Sequence, residues 1–462
     1  MPTFHIEQFG CRATHADGAA IERQLLDRGC ALADSSLTAD VVVVNTCTVT
    51  AAADAQARDA IRKLHAANPG MRIIVTGCYA QRAPEEVAAL TGVSFVVGNS
   101  HKPHIPDLIG PPAGTSDFVS LHALQGTLAP VLTGDIFDQE EVLVAPVLGG
   151  EGNQTRPTLK IQDGCNNRCA FCVIPFVRGR SRSLPAETVI EEIRSLSRAG
   201  YKEIVLSGIN LGAWGRDLSP RSDFPGLLRQ ILDKTSVERL RLSSVEPLDV
   251  TRDLVALFAS SGRLAEHFHM PLQSASDRVL AAMHRWYRSE HYARRIEFIR
   301  ERLPHAAIGA DVIAGFPGET EDDHAATMHF IESRSFSYLH IFSYSARPGT
   351  RAAALPDHVS PATIKRRARE LRALGETKSA GFHRTQFGRT LSLLTLRHSG
   401  STESLEWTPA LSSNFLKLRL SGSWLSNQFV NAVCPSGPAE LTLPEFQPSL
   451  ASARMSAQGQ SA

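Results

Sequence analysis

The first hundred residues alternate short apolar runs with longer stretches of helical period. Residues 4–9 read as a strand and 16–28 as an amphipathic helix. The unbroken run Val41-Val42-Val43-Val44 follows, then an alanine-rich helix over 51–67 and strands at 72–76 and 94–97. Continuous apolar strands separated by helices predict a parallel sheet covered on both faces. The rhythm breaks after residue 100. Pro103, Pro106, Pro111, Pro112 and later Gly149-Gly150-Glu151-Gly152 predict a linker with some short strands.

Alternation resumes with strands expected at 158–163, 203–207, 239–244, 267–272, 307–314 and 337–344. Helical patterns lie between them, as at 186–199, 276–283, 289–302 and 321–332. Six strand–helix units joined by right-handed crossovers predict a partial (βα)6 barrel. Lacking two units of the closed eightfold form, it would be open at the side to a large substrate. A charged helix over 363–384 follows. Short alternating strands such as 391–396 and 415–420 then predict a small β-barrel, and the polar end a frayed tail. The expected fold is α/β: a parallel-sheet N-terminal domain (1–110), a linker (111–157), the partial barrel (158–384), a small C-terminal β-barrel (385–448) and a disordered tail (449–462).

Composition narrows the function. A chain of 462 residues suits about three domains. Lys and Arg number 48 against 47 Asp and Glu, a formal net charge of +1, which excludes a binder working by bulk charge but not a local basic patch. The absence of a run of about 18 apolar residues predicts no membrane partner. The N-terminus lacks the pattern of a secretory signal, so a cytoplasmic location is expected. The eight cysteines then read as metal or redox candidates where they cluster, rather than as a disulfide framework.

They cluster twice. Cys165, Cys169 and Cys172 form a C-x3-C-x2-C after the first barrel strand, where α/β folds place their chemistry. Three such thiolates hold three irons of a 4Fe-4S cubane and leave the fourth open to a small chelating molecule. The alternative is a structural zinc, but no fourth cysteine or histidine follows within a dozen residues. Cys11, Cys47 and Cys78 are dispersed, yet each stands just past a predicted strand, with Gly10 and Gly77 beside two of them. Parallel strand ends share one edge, so these three should converge as a second metal site. Three buried small hydrophobes are the alternative. Cys30 and Cys434 lack such placement and read as structural.

The run Gln162-Asp163-Gly164-Cys165 through Cys172-Val173-Ile174-Pro175 to Arg178-Gly179 resembles the radical S-adenosylmethionine (SAM) enzymes. Gly10-Cys11, Asn45-Thr46-Cys47-Thr48-Val49-Thr50 and Gly77-Cys78-Tyr79-Ala80-Gln81 single out the methylthiotransferases among them. Leu242-Ser243-Ser244-Val245-Glu246-Pro247, Pro271-Leu272-Gln273-Ser274, the segment 311–320 and Arg347-Pro348-Gly349-Thr350 are most similar to the tRNA threonylcarbamoyladenosine branch. The resemblance spans about 4–385. It implies two 4Fe-4S clusters. Cys165, Cys169 and Cys172 would hold the one whose open iron chelates SAM and yields a 5′-deoxyadenosyl radical. Cys11, Cys47 and Cys78 would hold an auxiliary cluster carrying the sulfur, which a second SAM methylates. The product implied is a methylthio group on carbon 2 of an adenosine beside the tRNA anticodon. An aromatic C–H has no acidic proton, so the cofactor does the hard step and no catalytic His or carboxylate is nominated. His267 and His269 read as satisfied core or rim residues.

The strand-end residues Ser207 and Gly208 are candidates for the amino end of SAM, and Gln273, Ile313 and Gly315 for its ribose and adenine. Thr14 stands where the family usually has Asn, and Ala275 where it has Gly. The tRNA anticodon loop needs phosphate contacts. Arg178, Arg180 and Arg182 are one candidate set; Lys365, Arg366 and Arg369 belong to a helix with seven basic residues against two acidic ones. The last barrel resembles the family's TRAM module loosely, with four basic residues and four acidic (Glu403, Glu406, Glu440 and Glu445). A flavodoxin- or ferredoxin-type electron donor is the further partner implied. The competing readings are the ribosomal-protein aspartate branch of the family, towards which the neutral barrel leans, and an iron–sulfur scaffold without transferase activity.

Overall fold

The structure, a computed structural model, describes residues 2–109, 128–139, 142–144, 146–147, 155–397 and 407–436. The expected tail and the four acidic residues of the last domain lie outside the described residues.

The N-terminal sheet is wholly parallel. Its strands are β1 (Thr3–Gln8), β2 (Ala31–Leu32), β3 (Val41–Thr46), β4 (Arg72–Gly77), β5 (Val93–Val97) and β6 (Val131–Leu132), ordered β2-β1-β3-β4-β5-β6. Alternate residues of β3 serve opposite faces. Val42 and Val44 pack with Ile61 and Leu64 of the helix Ala51–Ala67, Val41 and Val43 with Ile21 and Leu25 of the helix Arg12–Asp27. The latter starts four residues before the sequence pattern suggests, directly after Cys11. β6 comes from the stretch expected as a linker, as does β7 (Pro146–Val147), which pairs antiparallel with the next sheet.

That sheet continues as β8 (Thr158–Asp163), β9 (Arg182–Ser183), β10 (Glu203–Gly208), β11 (Arg239–Leu242), β12 (His267–His269), β13 (Ala307–Ala314) and β14 (Tyr338–Ser343). β8, β10 and β11 are parallel, as are β12, β13 and β14, and the bridges Leu240–Leu264 and Ser244–His269 join the two groups. Among the described residues β8 and β14 do not pair, so the six strands form a partial barrel open on one side. β12 ends sooner than expected because Pro271 has no N–H for the ladder and Gln273 turns at φ 62°. The helix Pro361–Arg384 runs against β14 and starts where the Ser360 hydroxyl accepts from Thr363 N–H at 3.2 Å.

The C-terminal domain is a four-stranded antiparallel sheet of β15 (Thr390–Thr395), β16 (Trp407–Ser412), β17 (Lys417–Ser421) and β18 (Phe429–Val433). Its turn 412–415 reaches the N-terminal ends of the barrel strands. Phe415 stacks on His267 at 4.1 Å, and Asn414 donates to His305 O at 3.0 Å. Buried Arg241 donates to the carbonyls of Ser412 and Ser413, both at 3.0 Å, and is held by Glu203 at 2.7 Å. Cys30 and Cys434 are buried in apolar clusters.

Candidate metal centres

Cys11, Cys47 and Cys78 stand just beyond β1, β3 and β4, which are neighbours in the sheet. Their closeness depends on glycine. Gly10 and Gly77 have φ of +106° and +100°; a Cβ at Gly10 would collide with the Cβ and Sγ of Cys47, and one at Gly77 with the backbone of Thr46. Cys47 and Cys78 are buried and Cys11 is exposed. Burial first, then the neighbouring thiols of Cys78 and Cys11, pushes Cys47 up to about 12. The Thr14 hydroxyl lies 3.6 Å from Cys11 Sγ, and Asn99 Nδ2 donates to Cys78 Sγ at 3.6 Å.

Cys165, Cys169 and Cys172 lie on the loop between β8 and the helix Ile174–Arg178. Backbone bonds pin the loop: Cys165 N–H donates to Gly179 O at 3.1 Å and Ala170 N–H to Met283 O at 2.9 Å. All three cysteines line a cavity of about 820 Å³ together with Asn167, Phe176, Arg180 and Arg351. Asn167 N–H donates to Cys165 Sγ at 3.4 Å and Arg285 Nη1 to Cys169 Sγ at 3.2 Å. Burial pushes the Cys165 thiol up to about 11 and, with Cys169 beside it, Cys172 up to about 12. Such thiols are poor nucleophiles; as ligands they lose their protons to the charge of a bound metal.

The spacing bears on which metal fits. A tetrahedral zinc, with bonds of about 2.3 Å, needs its sulfurs roughly 3.8 Å apart. Among the described residues neither triad gathers its three sulfurs within 4.8 Å of one another. The wider spread suits a cluster whose irons each take one thiolate. A seam joins the two regions: Cys78 packs against Val173 and Val177, which follow Cys172. Beside the seam lies a buried ion cluster. Asp17 accepts from Lys102 Nζ at 2.6 Å, from Arg178 Nη2 at 2.9 Å and from Lys160, which also donates to Asp163 at 2.8 Å.

A model of the radical SAM superfamily matches residues 159–331, and one described as uncharacterized protein family UPF0004 matches residues 3–98. The threonylcarbamoyladenosine tRNA methylthiotransferase of Aquifex aeolicus is 36% identical over 394 residues, covering 85% of this chain and 92% of the relative. Its namesake in Bacillus subtilis is 35% identical over 431 residues, 92% and 91% of the two chains. The chain belongs to the radical SAM methylthiotransferase family. A tRNA-2-methylthio-N(6)-dimethylallyladenosine synthase from Pelotomaculum thermopropionicum is 33% identical over 407 residues, 85% of this chain and 86% of its own. Among solved structures, the radical S-adenosylmethionine methyltransferase TsrM of Kitasatospora setae shares the fold, with a TM-score of 0.54 at 15% identity over 86% of this chain and 79% of that one.

In this methylthiotransferase the expected SAM contacts divide. Ser207 is buried and Gly208 half-buried at the end of β10, where Gly208 faces the Gln162 side chain. Gln273 O accepts from Ile313 N–H at 2.9 Å, which joins those two strand ends, and Ile313 packs on the same apolar cluster as Phe171 of the cysteine loop. Gly315 has φ of +80°, and a Cβ there would strike Ile364 of the helix Pro361–Arg384. Helix packing therefore accounts for its glycine.

Two expected phosphate contacts are corrected. Arg178 and Arg182 are buried, not surface residues. Arg178 is spent on Asp163 at 3.0 Å and on Asp17, and Arg182 on the carbonyls of Gln139 and Arg178. Arg180 is exposed beside the cysteine cavity. On the helix, Arg366 pairs with Glu321 and Glu370, Arg367 is buried on Glu319, and Lys378 donates to two carbonyls. Lys365, Arg369 and Arg372 are exposed and form no ion pair among the described residues. Sequence reasoning missed Arg285, which bridges Cys169 and Glu246, and Arg347, which ties Asp54 of the N-terminal domain to the barrel. Their partners lie far away in sequence, so no local pattern marks them.

Proposed function

We propose that this methylthiotransferase acts on tRNA and places a methylthio group on carbon 2 of a threonylcarbamoyladenosine next to the anticodon. The observation that carries the reading is the packing of Cys78 against Val173 and Val177, which directly follow the loop of Cys165, Cys169 and Cys172; a base brought to this seam would lie between the two cysteine sites. The curated relatives named for this nucleoside, at 36% and 35% identity over nearly their whole length, support it. With Cys165, Cys169 and Cys172 holding one 4Fe-4S cluster and Cys11, Cys47 and Cys78 a second, the clusters supply radical generation from SAM and the transferable sulfur. The protein's part is to hold the triads apart, shield the seam with apolar side chains and admit an unstacked base at the barrel mouth. An electron donor of flavodoxin or ferredoxin type would deliver reducing equivalents.

The decisive experiment is a mass-spectrometric digest of tRNA from a deletion strain. The methylthio derivative should vanish while threonylcarbamoyladenosine remains; its persistence in a strain without a paralogue refutes the reading. Anaerobically reconstituted protein should carry about eight irons and form 5′-deoxyadenosine on reduction, which a simple iron–sulfur scaffold would not.

A further inference from the structure

The relatives' names divide between a threonylcarbamoyl and a dimethylallyl group on N6 of the adenosine. The two arms differ in charge. Threonine joined through its amine keeps a free carboxylate, whereas the dimethylallyl arm is hydrocarbon. A protein that prefers the first needs a cation within reach of the arm and without another partner.

Arg12 meets that need. It is the first residue of the helix Arg12–Asp27, directly after Cys11, and no acidic residue lies in that helix's first turn. Its side chain is exposed and makes no hydrogen bond or ion pair among the described residues. The nearest acid on its own helix, Asp17, is already saturated by Lys102, Lys160 and Arg178. The helix it begins packs against β8 and β10, which sets Arg12 beside the barrel. The His267 ring is held well below the ordinary imidazole range by burial first, then by positive charges that include Arg241 and Arg12, and the Tyr338 phenol feels Arg12 as well.

The wall that Arg12 faces has no acid to spare. Asp311 is held by His269 at 2.9 Å and His340 at 3.3 Å, and the Tyr338 hydroxyl is shared by His267 at 2.7 Å and His269 at 2.8 Å. Glu203, below them, is divided among Arg156, Arg239 and Arg241 at 3.3, 3.4 and 2.7 Å. Two of these three arginines, Arg156 and Arg241, also stand near enough to repel Arg12. An anion at Arg12 would relieve that repulsion.

We infer that Arg12 binds the carboxylate of the substrate's threonyl arm and thereby selects a charged over an apolar N6 substituent. The inference rests on the threonylcarbamoyladenosine reading above. Carbon 2 and carbon 6 of adenine are separated by one ring nitrogen, so a base whose carbon 2 faces the Cys11 triad carries its N6 arm beside the residue after Cys11. A guanidinium clasps a carboxylate through two parallel N–H donors. A hydrocarbon arm would leave Arg12 covered and unpaired, which a recognition site penalises.

The test uses the reconstituted holoenzyme and anticodon stem-loop RNAs carrying either the threonylcarbamoyl group or its threoninol counterpart, in which the carboxylate becomes a hydroxymethyl group. Wild type should prefer the carboxylate. The R12Q variant should lose about 10- to 100-fold of that preference, mainly through KM, and R12K should recover part of it. Iron content near that of wild type shows that both clusters survive. If R12Q loses activity equally on both RNAs, Arg12 serves the cluster or the fold and the inference falls. An undiminished preference overturns it too. If wild type leaves the threonylcarbamoyl RNA unmodified but methylthiolates a dimethylallyl stem-loop run beside it, the substrate reading fails first and the inference with it.

Discussion

Asp17→Asn removes one charge from the buried cluster beside the seam and leaves three cations, Lys102, Lys160 and Arg178, with Asp163 as the one remaining carboxylate. All five side chains are at most 8% exposed, so solvent screens little of the loss. The amide keeps the shape and some hydrogen bonding, but three charged bonds to the carboxylate go. Breaking a buried ion pair by removing one partner costs about 3–5 kcal/mol, and that is the expected destabilisation. Burial pushes Lys102 below its ordinary value, which makes it the cation easiest to give up. D17N/K102M restores the balance of two cations against one carboxylate. It should recover at least about 1.5 kcal/mol relative to the sum of the single variants. Urea unfolding of the four proteins measures the cycle. A cost for D17N under about 1 kcal/mol, or additive single variants, would show that the cluster does not join the domains. The pH dependence supplies a second check. Burial alone would raise Asp17, but Arg178, Lys102 and Lys160 outweigh it and hold it well below the ordinary carboxylate range; Asp163 is lowered likewise. A lowered folded-state pKa means the contribution is complete above about pH 4 and is lost as pH falls through the folded values. Wild type should therefore weaken more steeply than D17N in acid.

Three further outcomes are expected. Gly77→Ala puts a methyl group into the Thr46 backbone at a left-handed position, and iron should fall from about eight to about four while SAM cleavage persists. Arg285→Met removes the donor to Cys169 and the partner of Glu246; a redox titration followed by EPR should find the SAM-binding cluster at a more negative potential. Reversing Lys365, Arg369 and Arg372 to Glu should weaken stem-loop binding and cut its log–log salt slope by at least about 2, at roughly 0.7 per phosphate contact in single strands. An unchanged slope would take that helix face out of the RNA path.

The cysteine sites were legible because their signal lies in the backbone. Apolar runs of four to six residues mark strands, and thiols one to three residues beyond them must meet where neighbouring parallel strands end. The helix Ser289–Arg302 was readable to the residue, and Arg12–Asp27 was not, since its polar first turn carries no acidic residue or side-chain cap to mark its start. The fate of Arg178 was hidden for a different reason. A basic residue reads the same whether it meets solvent or an acid, and its partner Asp17 lies 161 positions away. Arg12 was overlooked because a single arginine beside a cysteine has no pattern; among the described residues, only its lack of an ion pair beside acids already spent on other partners sets it apart. The strand β6 was concealed by its two-residue length inside a proline-rich stretch.

The turn around Phe415 has a consequence for traffic. Phe415 on His267 and Arg241 on the carbonyls of Ser412 and Ser413 cap the strand ends opposite the cysteine loop, so the interior there opens only toward the cysteines and the open side. If RNA enters as proposed, whatever is consumed there would have to be exchanged through the same side or mouth. Under the proposed function, a cycle using two SAM molecules would then run in order, because a spent SAM fragment could not drain away beneath a bound base. In that setting the C-terminal sheet has no need of a basic surface. It would serve as a seal, and a seal that holds an arginine by carbonyl oxygens works at zero net charge.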